Sequence, residues 1–151
     1  MMAENIIIRR ARLYDLHRLT EMLKQLFAIE KDLKTGVEKY EAGLTELICG
    51  DTGAVFVAEI DGKTAGMATA QAVISTSAGG LSLLVEDVFV LEGYRKKGVG
   101  KGLLEVIKMW GAKKGALRMQ LVADRKNRGA VEFYKKLGWN ETEMKGMYYY
   151  L

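Results

Sequence analysis

Scarce residue types in this chain of 151 residues exclude several classes of protein. A single cysteine, Cys49, cannot form a disulfide within the chain, which fits a reducing compartment. A single histidine, His17, leaves no Cys/His/Asp cluster with the spacing of metal ligands, so we expect no metal. No apolar run is long enough to span a membrane, and no signal-peptide pattern opens the chain. We therefore expect a cytoplasmic protein without a membrane partner; the complete absence of proline adds nothing to this.

The overall composition is that of an ordinary globular protein. Apolar residues make up 49% of the chain and charged residues 28%. This length predicts one domain over residues 1–151, large enough for a real core. The net charge of +4 favours an anionic ligand or weak contact with nucleic acid, and it does not distinguish the two.

The order of the periodic segments predicts a mixed α+β fold. Strands are predicted at Ile6–Arg10, Ala54–Ile60, Lys63–Ser75, Leu81–Val90 and Leu117–Ala123, with a final hairpin over Trp139–Leu151. Helices are predicted at about Tyr14–Ala28, Val37–Ile48, after the glycine-rich turn at 98–102, and at Arg128–Leu137, with a polar break at Lys31–Gly36. Asp61-Gly62 is typical of a tight hairpin turn. We expect an antiparallel sheet that becomes parallel where a helix crosses between Val90 and Leu117.

A basic, glycine-rich turn follows the apolar run Val88–Val90 and opens a helix. Glycines at 98, 100 and 102 leave room for phosphate oxygens and tolerate a positive φ. The first N–H groups of the helix have no internal partner, and the helix dipole adds positive charge there. Four cations surround this point: Arg95, Lys96, Lys97 and Lys101. The segment therefore predicts a pyrophosphate site, although it matches neither the dinucleotide fingerprint nor the P-loop.

A second block, running from Asn127 to Trp139, identifies a family. It reads N-x-x-A-x-x-F-Y-x-x-L-G-W and follows the R-x-x-G-x-G of the turn. The two blocks in this order resemble the GNAT superfamily of acetyl-CoA-dependent N-acetyltransferases, and the resemblance covers nearly the whole chain. It implies a central twisted, mostly antiparallel sheet with a splayed parallel pair and flanking helices.

The resemblance also implies which residues hold acetyl-CoA. Backbone groups of Phe89 and Val90 would bind the pantetheine arm and the thioester, although Val88–Val90 is also explained as a buried strand. Asn127 would cap its helix and bind the same arm. The resemblance assigns the pyrophosphate to one run of residues: Arg95, Lys96, Lys97, Gly98, Val99, Gly100 and Lys101.

Two side chains are candidates for acid–base chemistry. Glu86 matches the position from which some relatives, notably spermidine/spermine acetyltransferases, draw a general base; a purely structural carboxylate is the alternative. Asp87 faces the opposite side in a regular strand, so only one of the two reaches the cleft unless a bulge re-aims them. The resemblance makes Tyr134 the acid that protonates the departing thiolate, while its helical spacing from Ala130 and Leu137 also suits a core position.

These features together predict an N-acetyltransferase that acts on a primary amine in a ternary complex. Glu30, Asp32 and Glu38 suit a polyamine-like substrate, or they form a solvated acidic face. A non-catalytic acetyl-CoA sensor and a small nucleic-acid binder are the alternatives. The basic cluster lies on the phosphate turn, so we expect no nucleic acid. We expect a homodimer, because many relatives form one and an apolar strand at Met147–Leu151 is unsuited to a bare edge.

Overall fold

A computed structural model describes residues 5–30 and 36–151. The chain divides into two compact units, Met1–Gln120 and Leu121–Leu151. In the first unit the strands are β1 (Ile6–Arg10), β2 (Gly53–Ile60), β3 (Lys63–Ser75), β4 (Gly80–Val90) and β5 (Arg118–Gln120), and the helices are α1 (Leu16–Ile29), α2 (Val37–Cys49) and α3 (Val99–Lys113). The second unit carries α4 (Arg128–Lys136). Residues 31–35 of the predicted polar break lie outside the described residues, and the single domain over 1–151 stays a prediction.

The five strands form one mixed sheet in the order β1-β2-β3-β4-β5. The first three pairs are antiparallel, and β4 and β5 are parallel because α3 crosses between them. Asp61 and Gly62 join β2 to β3 with φ values of +50° and +72°, as a two-residue hairpin turn requires. The predicted α+β class and the parallel pair at the α3 crossover are confirmed.

Helices cover both faces of this sheet. Buried side chains of α1, including Leu19 and Met22, pack in one cluster with Val55 and Val57 of β2. Between those valines, Phe56 points to the other face, where its ring lies 6.3 Å from that of Trp110 in α3. No helix within residues 5–30 and 36–151 has the length and apolar character needed to cross a membrane.

Strand β4 changes its surroundings half-way along. It pairs with β5 through only three residues, from Ser82 to Leu84, and with β3 along nearly its whole length. From Val85 to Val90, the edge that faces away from β3 has no strand partner among the described residues. The pairing with β3 is also interrupted by a bulge beside Met67 and Thr69. The β5 side of β4 is therefore splayed open, as predicted.

The second unit confirms one predicted element and contradicts another. Asn127 caps α4, because its Oδ1 accepts a hydrogen bond of 3.1 Å from the Ala130 N–H. The helix ends before Gly138, which has a φ of +89°. The predicted hairpin over Trp139–Leu151 is wrong, since these residues form no strand. Aromatic residues favour strands only where a partner supplies the ladder, and an isolated two-stranded hairpin is marginal.

Candidate active site

The start of α3 presents a row of unpaired backbone donors. Gly98 lies just before the helix with a φ of +88°, a conformation that suits glycine. The Gly102 N–H donates to the Gly98 carbonyl at 2.9 Å, which is the first hydrogen bond along the helix. The N–H groups of Val99, Gly100 and Lys101 therefore have no partner within the helix. Such a row, at the positive end of a helix dipole, suits an anionic phosphate.

The basic residues around this turn fall into two groups. Lys96, Lys97 and Lys101 have exposed side chains. Arg95 instead turns toward the end of β4, where its Nε donates to the Val90 carbonyl at 3.0 Å. Its guanidinium carbon also lies 5.9 Å from the centre of the Phe89 ring. Arg95 therefore supports the strand end although it is also exposed, and Lys97 Nζ lies 5.8 Å from the centre of the Tyr94 ring.

Close packing fixes the first turns of α3 on the sheet. A Cβ at Gly66 would lie 2.9 Å from Val99 Cγ1 and 3.0 Å from the Phe89 carbonyl oxygen. A Cβ at Gly102 would lie 2.7 Å from Ile8 Cδ1. Gly102 therefore has a packing role in addition to the phosphate clearance predicted from the sequence. These contacts with β1 and β3 hold the row of donors in a fixed place on the sheet.

The open edge of β4 presents the backbone of Val90. The Leu91 N–H donates to the Ala65 carbonyl at 2.9 Å, so the backbone of Leu91 faces β3. Phe89, opposite Met67, faces β3 in the same way because strand backbones alternate. Val90 faces away, and its carbonyl is occupied by Arg95. Its N–H therefore points into the splay, whereas the ring of Phe89 lies in the α1 core cluster.

The bulge in β4 re-aims an acidic side chain. Glu86 lies opposite Thr69 and is exposed. Asp87 has a φ of +49°, a left-handed conformation that is rare outside glycine, asparagine and aspartate. Its Oδ2 accepts a hydrogen bond of 2.9 Å from the Thr69 hydroxyl. Both carboxylates thus lie on the α1 face of the sheet, whereas a regular strand would separate them.

The surroundings of Asp87 make it a stronger base than an ordinary aspartate. Burial raises the pKa of Asp87 to about 6, against 3.8 in a model compound. The hydrogen bond from Thr69 lowers this pKa, and the charges of Glu86 and Glu30 raise it further. Glu30 directly follows α1, which packs against β4. At pH 7 a group with a pKa of about 6 is roughly nine-tenths ionised, so it can accept a proton.

The second unit holds the other two predicted site residues. Asn127 begins α4, and Tyr134 lies on the same helix with its side chain half-buried. The Tyr134 ring makes edge contacts with Phe133 and Trp139 at centroid distances of 5.2 and 5.8 Å. The Trp139 N–H donates to the Tyr134 carbonyl at 3.1 Å, which closes the end of the helix. Packing therefore fixes the orientation of the phenol within this unit.

Other predicted contacts are only partly described. Glu38 is exposed in the first turn of α2, and Asp32 lies outside the described residues. His17 is exposed on α1. In the described part of the chain, no group of three His, Cys, Asp or Glu side chains is placed to hold a metal ion.

Comparison with known proteins identifies the family. Residues 16–139 match the acetyltransferase (GNAT) family. The chain belongs to this family. It is an N-acetyltransferase, in agreement with the names of its relatives. Aminoglycoside N(6')-acetyltransferase type 1 of Salmonella typhimurium is 30% identical over 101 residues, which cover 65% of this chain and 70% of that protein.

Solved GNAT structures support the same assignment. An aminoglycoside N-acetyltransferase, AAC(6')-Iy in complex with CoA, superposes with a TM-score of 0.82 and 25% identity, covering 97% of this chain and 95% of the other. The same enzyme with the bisubstrate analog CoA-S-monomethyl-acetylneamine gives the same score and identity, with 97% and 99% covered. These matches agree with the α+β fold described above.

Sequence reasoning did not assign a role to Thr69 and left Asp87 as an alternative to Glu86. Two features of this chain's sequence point to these residues. Thr69 is a polar residue within the alanine-rich run Ala68–Ala70 of a buried strand. Glu86 and Asp87 place two polar residues side by side in a strand, which breaks its alternation and is typical of a bulge.

Proposed function

We propose that this protein transfers the acetyl group of acetyl-CoA to a primary amine of a small molecule with several positive charges, by direct attack in a ternary complex. Aminoglycosides belong to that class, and two of the relatives carry aminoglycoside acetyltransferase names. The observation that carries the proposal is the carboxylate of Asp87, held at the bulge beside the open edge of β4. Glu86 and Glu30 add negative charge near it, which favours a cationic substrate.

The described residues fit the proposed cosubstrate. The free N–H groups of Val99, Gly100 and Lys101 suit the pyrophosphate, and exposed Lys96 and Lys97 add charge. The open edge of β4 suits an extended amide chain, because it has no strand partner beyond Leu84 among the described residues and the Val90 N–H points outward from it. Phe89 stays a predicted contact, although its backbone faces β3. Acetyl-CoA supplies a thioester carbon that an uncharged amine can attack.

Each chemical demand of the transfer has a residue to meet it. The Asp87 carboxylate takes a proton from the ammonium group of the substrate, so that the nitrogen lone pair becomes available. The Val90 N–H, directed into the splay, stabilises negative charge that develops on the thioester oxygen. As the C–S bond breaks, the Tyr134 hydroxyl gives its proton to the departing thiolate, and the phenolate takes a proton back from the nitrogen that has become the amide. We place the base on Asp87 because Glu86 is exposed, while Glu86 remains the residue predicted from the sequence.

A substrate screen with matched variants tests this proposal. Neamine, spermidine and a short peptide amine are incubated with acetyl-CoA, and free thiol is followed against time. We expect turnover of neamine or spermidine and little turnover of the singly charged peptide. Asp87→Asn and Tyr134→Phe should each lower turnover by about 10²–10⁴-fold, and Asp87→Asn should partly recover at high pH, where the amine is already uncharged.

Control variants separate these roles from general damage. Glu105→Gln neutralises an exposed carboxylate on α3, and Tyr148→Phe removes a phenol from an exposed segment. Both should retain turnover within a few-fold of the wild-type protein. Binding of acetyl-CoA without turnover of any amine in the panel would contradict the enzymatic proposal. A large loss in Glu86→Gln with no loss in Asp87→Asn would move the base to Glu86.

We also propose that the protein is a homodimer. The segment Met147–Leu151 exposes five consecutive apolar or aromatic side chains, with Met147 at 91% and Tyr149 at 90% of full exposure. The rings of Tyr148 and Tyr150 stack at 6.4 Å and form an aromatic surface. Burying such a surface in a second copy gives a favourable free energy. Sedimentation should show a dimer at micromolar concentration, and a Met147→Glu/Tyr149→Glu protein should be monomeric; a monomeric wild-type protein would refute this.

A further inference from the structure

A single buried hydroxyl contacts the carboxylate that the bulge re-aims. Thr69 lies in the middle of β3 with 1% of its surface exposed, between Ala68 and Ala70, which are fully buried. Its hydroxyl donates to Asp87 Oδ2 at 2.9 Å. Valine has the same shape and a higher preference for strands, and it carries no hydroxyl to desolvate. The hydroxyl at this position is therefore explained by its hydrogen bond rather than by packing.

The bulge explains why the Asp87 side chain depends on the hydrogen bond from Thr69 for its orientation. The backbone of Asp87 is left-handed and lies where the pairing with β3 shifts by one residue. An extra residue in a strand is not held by the ladder. Its side chain must be oriented by other contacts, and the Thr69 hydroxyl supplies one to Oδ2. The other oxygen, Oδ1, is then directed by the fixed plane of the carboxyl group.

We propose that Thr69 is a positioning residue for the acetyl transfer, which holds Oδ2 of Asp87 so that Oδ1 faces the substrate amine. This inference rests on the proposed function of Asp87 as the base. The hydrogen bond fixes the plane of the carboxylate, and it stabilises the charged form that accepts the proton. Reactions between well-oriented groups are faster because less freedom is lost at the transition state.

The charges around Asp87 define what removal of the hydroxyl should do. Glu86 on the same strand and Glu30 after α1 both disfavour a charged Asp87, and burial acts in the same direction. The Thr69 hydrogen bond opposes all three. Without it, Asp87 should hold its proton to a higher pH and lose its fixed orientation.

The experiment compares Thr69→Val, which deletes the hydroxyl at constant shape, with Thr69→Ser, which keeps it. The full-length proteins are labelled with ¹³C at the aspartate carboxyl groups, and the Asp87 signal is assigned by its loss in Asp87→Asn. We expect the titration midpoint of Asp87 to rise by about one pH unit in Thr69→Val, the size expected when a charge-assisted hydrogen bond is lost. Thr69→Ser should return it to near the wild-type value. Thr69→Ala provides the same deletion if the valine protein does not fold.

Turnover of neamine and spermidine is measured against pH on the same proteins. We expect kcat in Thr69→Val to fall about tenfold, with the acidic limb moved upward and the KM for acetyl-CoA unchanged, and we expect Thr69→Ser to restore both. An unmoved Asp87 midpoint in a folded Thr69→Val or Thr69→Ala protein would overturn the inference, as would a slower enzyme with an unmoved acidic limb. Full activity in Asp87→Asn would instead refute the proposed base. The two failures are therefore distinguishable.

Discussion

Replacing Asp87 by asparagine should make the protein more stable at neutral pH. The carboxylate is held in surroundings that disfavour its charge, and asparagine removes that charge with little change in shape. Asparagine also tolerates the left-handed backbone at φ +49°, and its side-chain oxygen can accept the hydrogen bond from Thr69. The backbone and the bulge should therefore persist in the variant.

The sign and size of the effect follow from the pKa of Asp87. Its value is 3.8 in a model compound and about 6 in the folded protein, so the folded state binds this proton more tightly. The associated stability is fully present below pH 3.8 and is lost as the pH rises through about 6. A difference of about two pKa units corresponds to about 3 kcal/mol at pH 7. Partial exposure of Asp87 to solvent reduces this, and we expect a gain of about 1–3 kcal/mol for Asp87→Asn.

Urea unfolding followed by circular dichroism at pH 7, 5 and 4 measures the effect. The gain of Asp87→Asn over wild type should be largest at pH 7, about half as large at pH 5 and about a fifth as large at pH 4. Glu105→Gln is the control, because it neutralises an exposed carboxylate on α3, on the other face of the sheet from Asp87. Equal stability of Asp87→Asn and wild type at pH 7, or a gain independent of pH, would refute the reasoning.

Three further substitutions test the supports of the site. Gly66→Ala should lower the free energy of unfolding by about 1–3 kcal/mol, because its Cβ would lie 2.9 Å from Val99 Cγ1; urea unfolding measures this. Asn127→Ala should destabilise α4 by about 1 kcal/mol while Asn127→Asp does not, as thermal melts followed by circular dichroism would show. Gly100→Glu should abolish acetyl-CoA binding in calorimetry, since a bulky anion would enter the phosphate cradle; unchanged affinity in a folded protein would exclude that placement.

The sequence predicts those parts of the fold that depend on local signals. Asp61-Gly62 correctly indicates the β2–β3 hairpin, because its turn type requires two residues that tolerate positive φ. Asn127 correctly marks the start of α4, because a helix cap is also a local interaction. Parts of the fold that depend on pairing with a strand distant in the sequence are harder to predict. The aromatic run at Tyr148–Tyr150 has the composition of a strand, and residues 139–151 nevertheless form none.

The positions of the Glu86 and Asp87 carboxylates at the candidate site also depend on a pairing partner and are therefore hard to predict. The motif places an acidic residue before Val88–Val90, but periodicity alone puts Glu86 and Asp87 on opposite faces. A one-residue shift in the pairing with β3 puts both on one face. That shift is a property of two strands separated by a turn, and a single strand does not specify it. The role of Thr69 depends on the same pairing, so only the structure brings it to Asp87.

The shortness of β5 has a consequence for the behaviour of the protein in concentrated solution. Because β5 leaves β4 at Leu84, the edge of Val85–Val90 that faces away from β3 has no strand partner among the described residues. Unpaired strand edges are templates on which foreign strands add and aggregates begin. The backbone groups on this edge that suit an extended cosubstrate are thus also the groups on which a strand of another molecule can add. If acetyl-CoA binds along this edge as proposed, ligand and aggregate compete for the same backbone groups, and saturation with the acyl donor should slow aggregation of the enzyme.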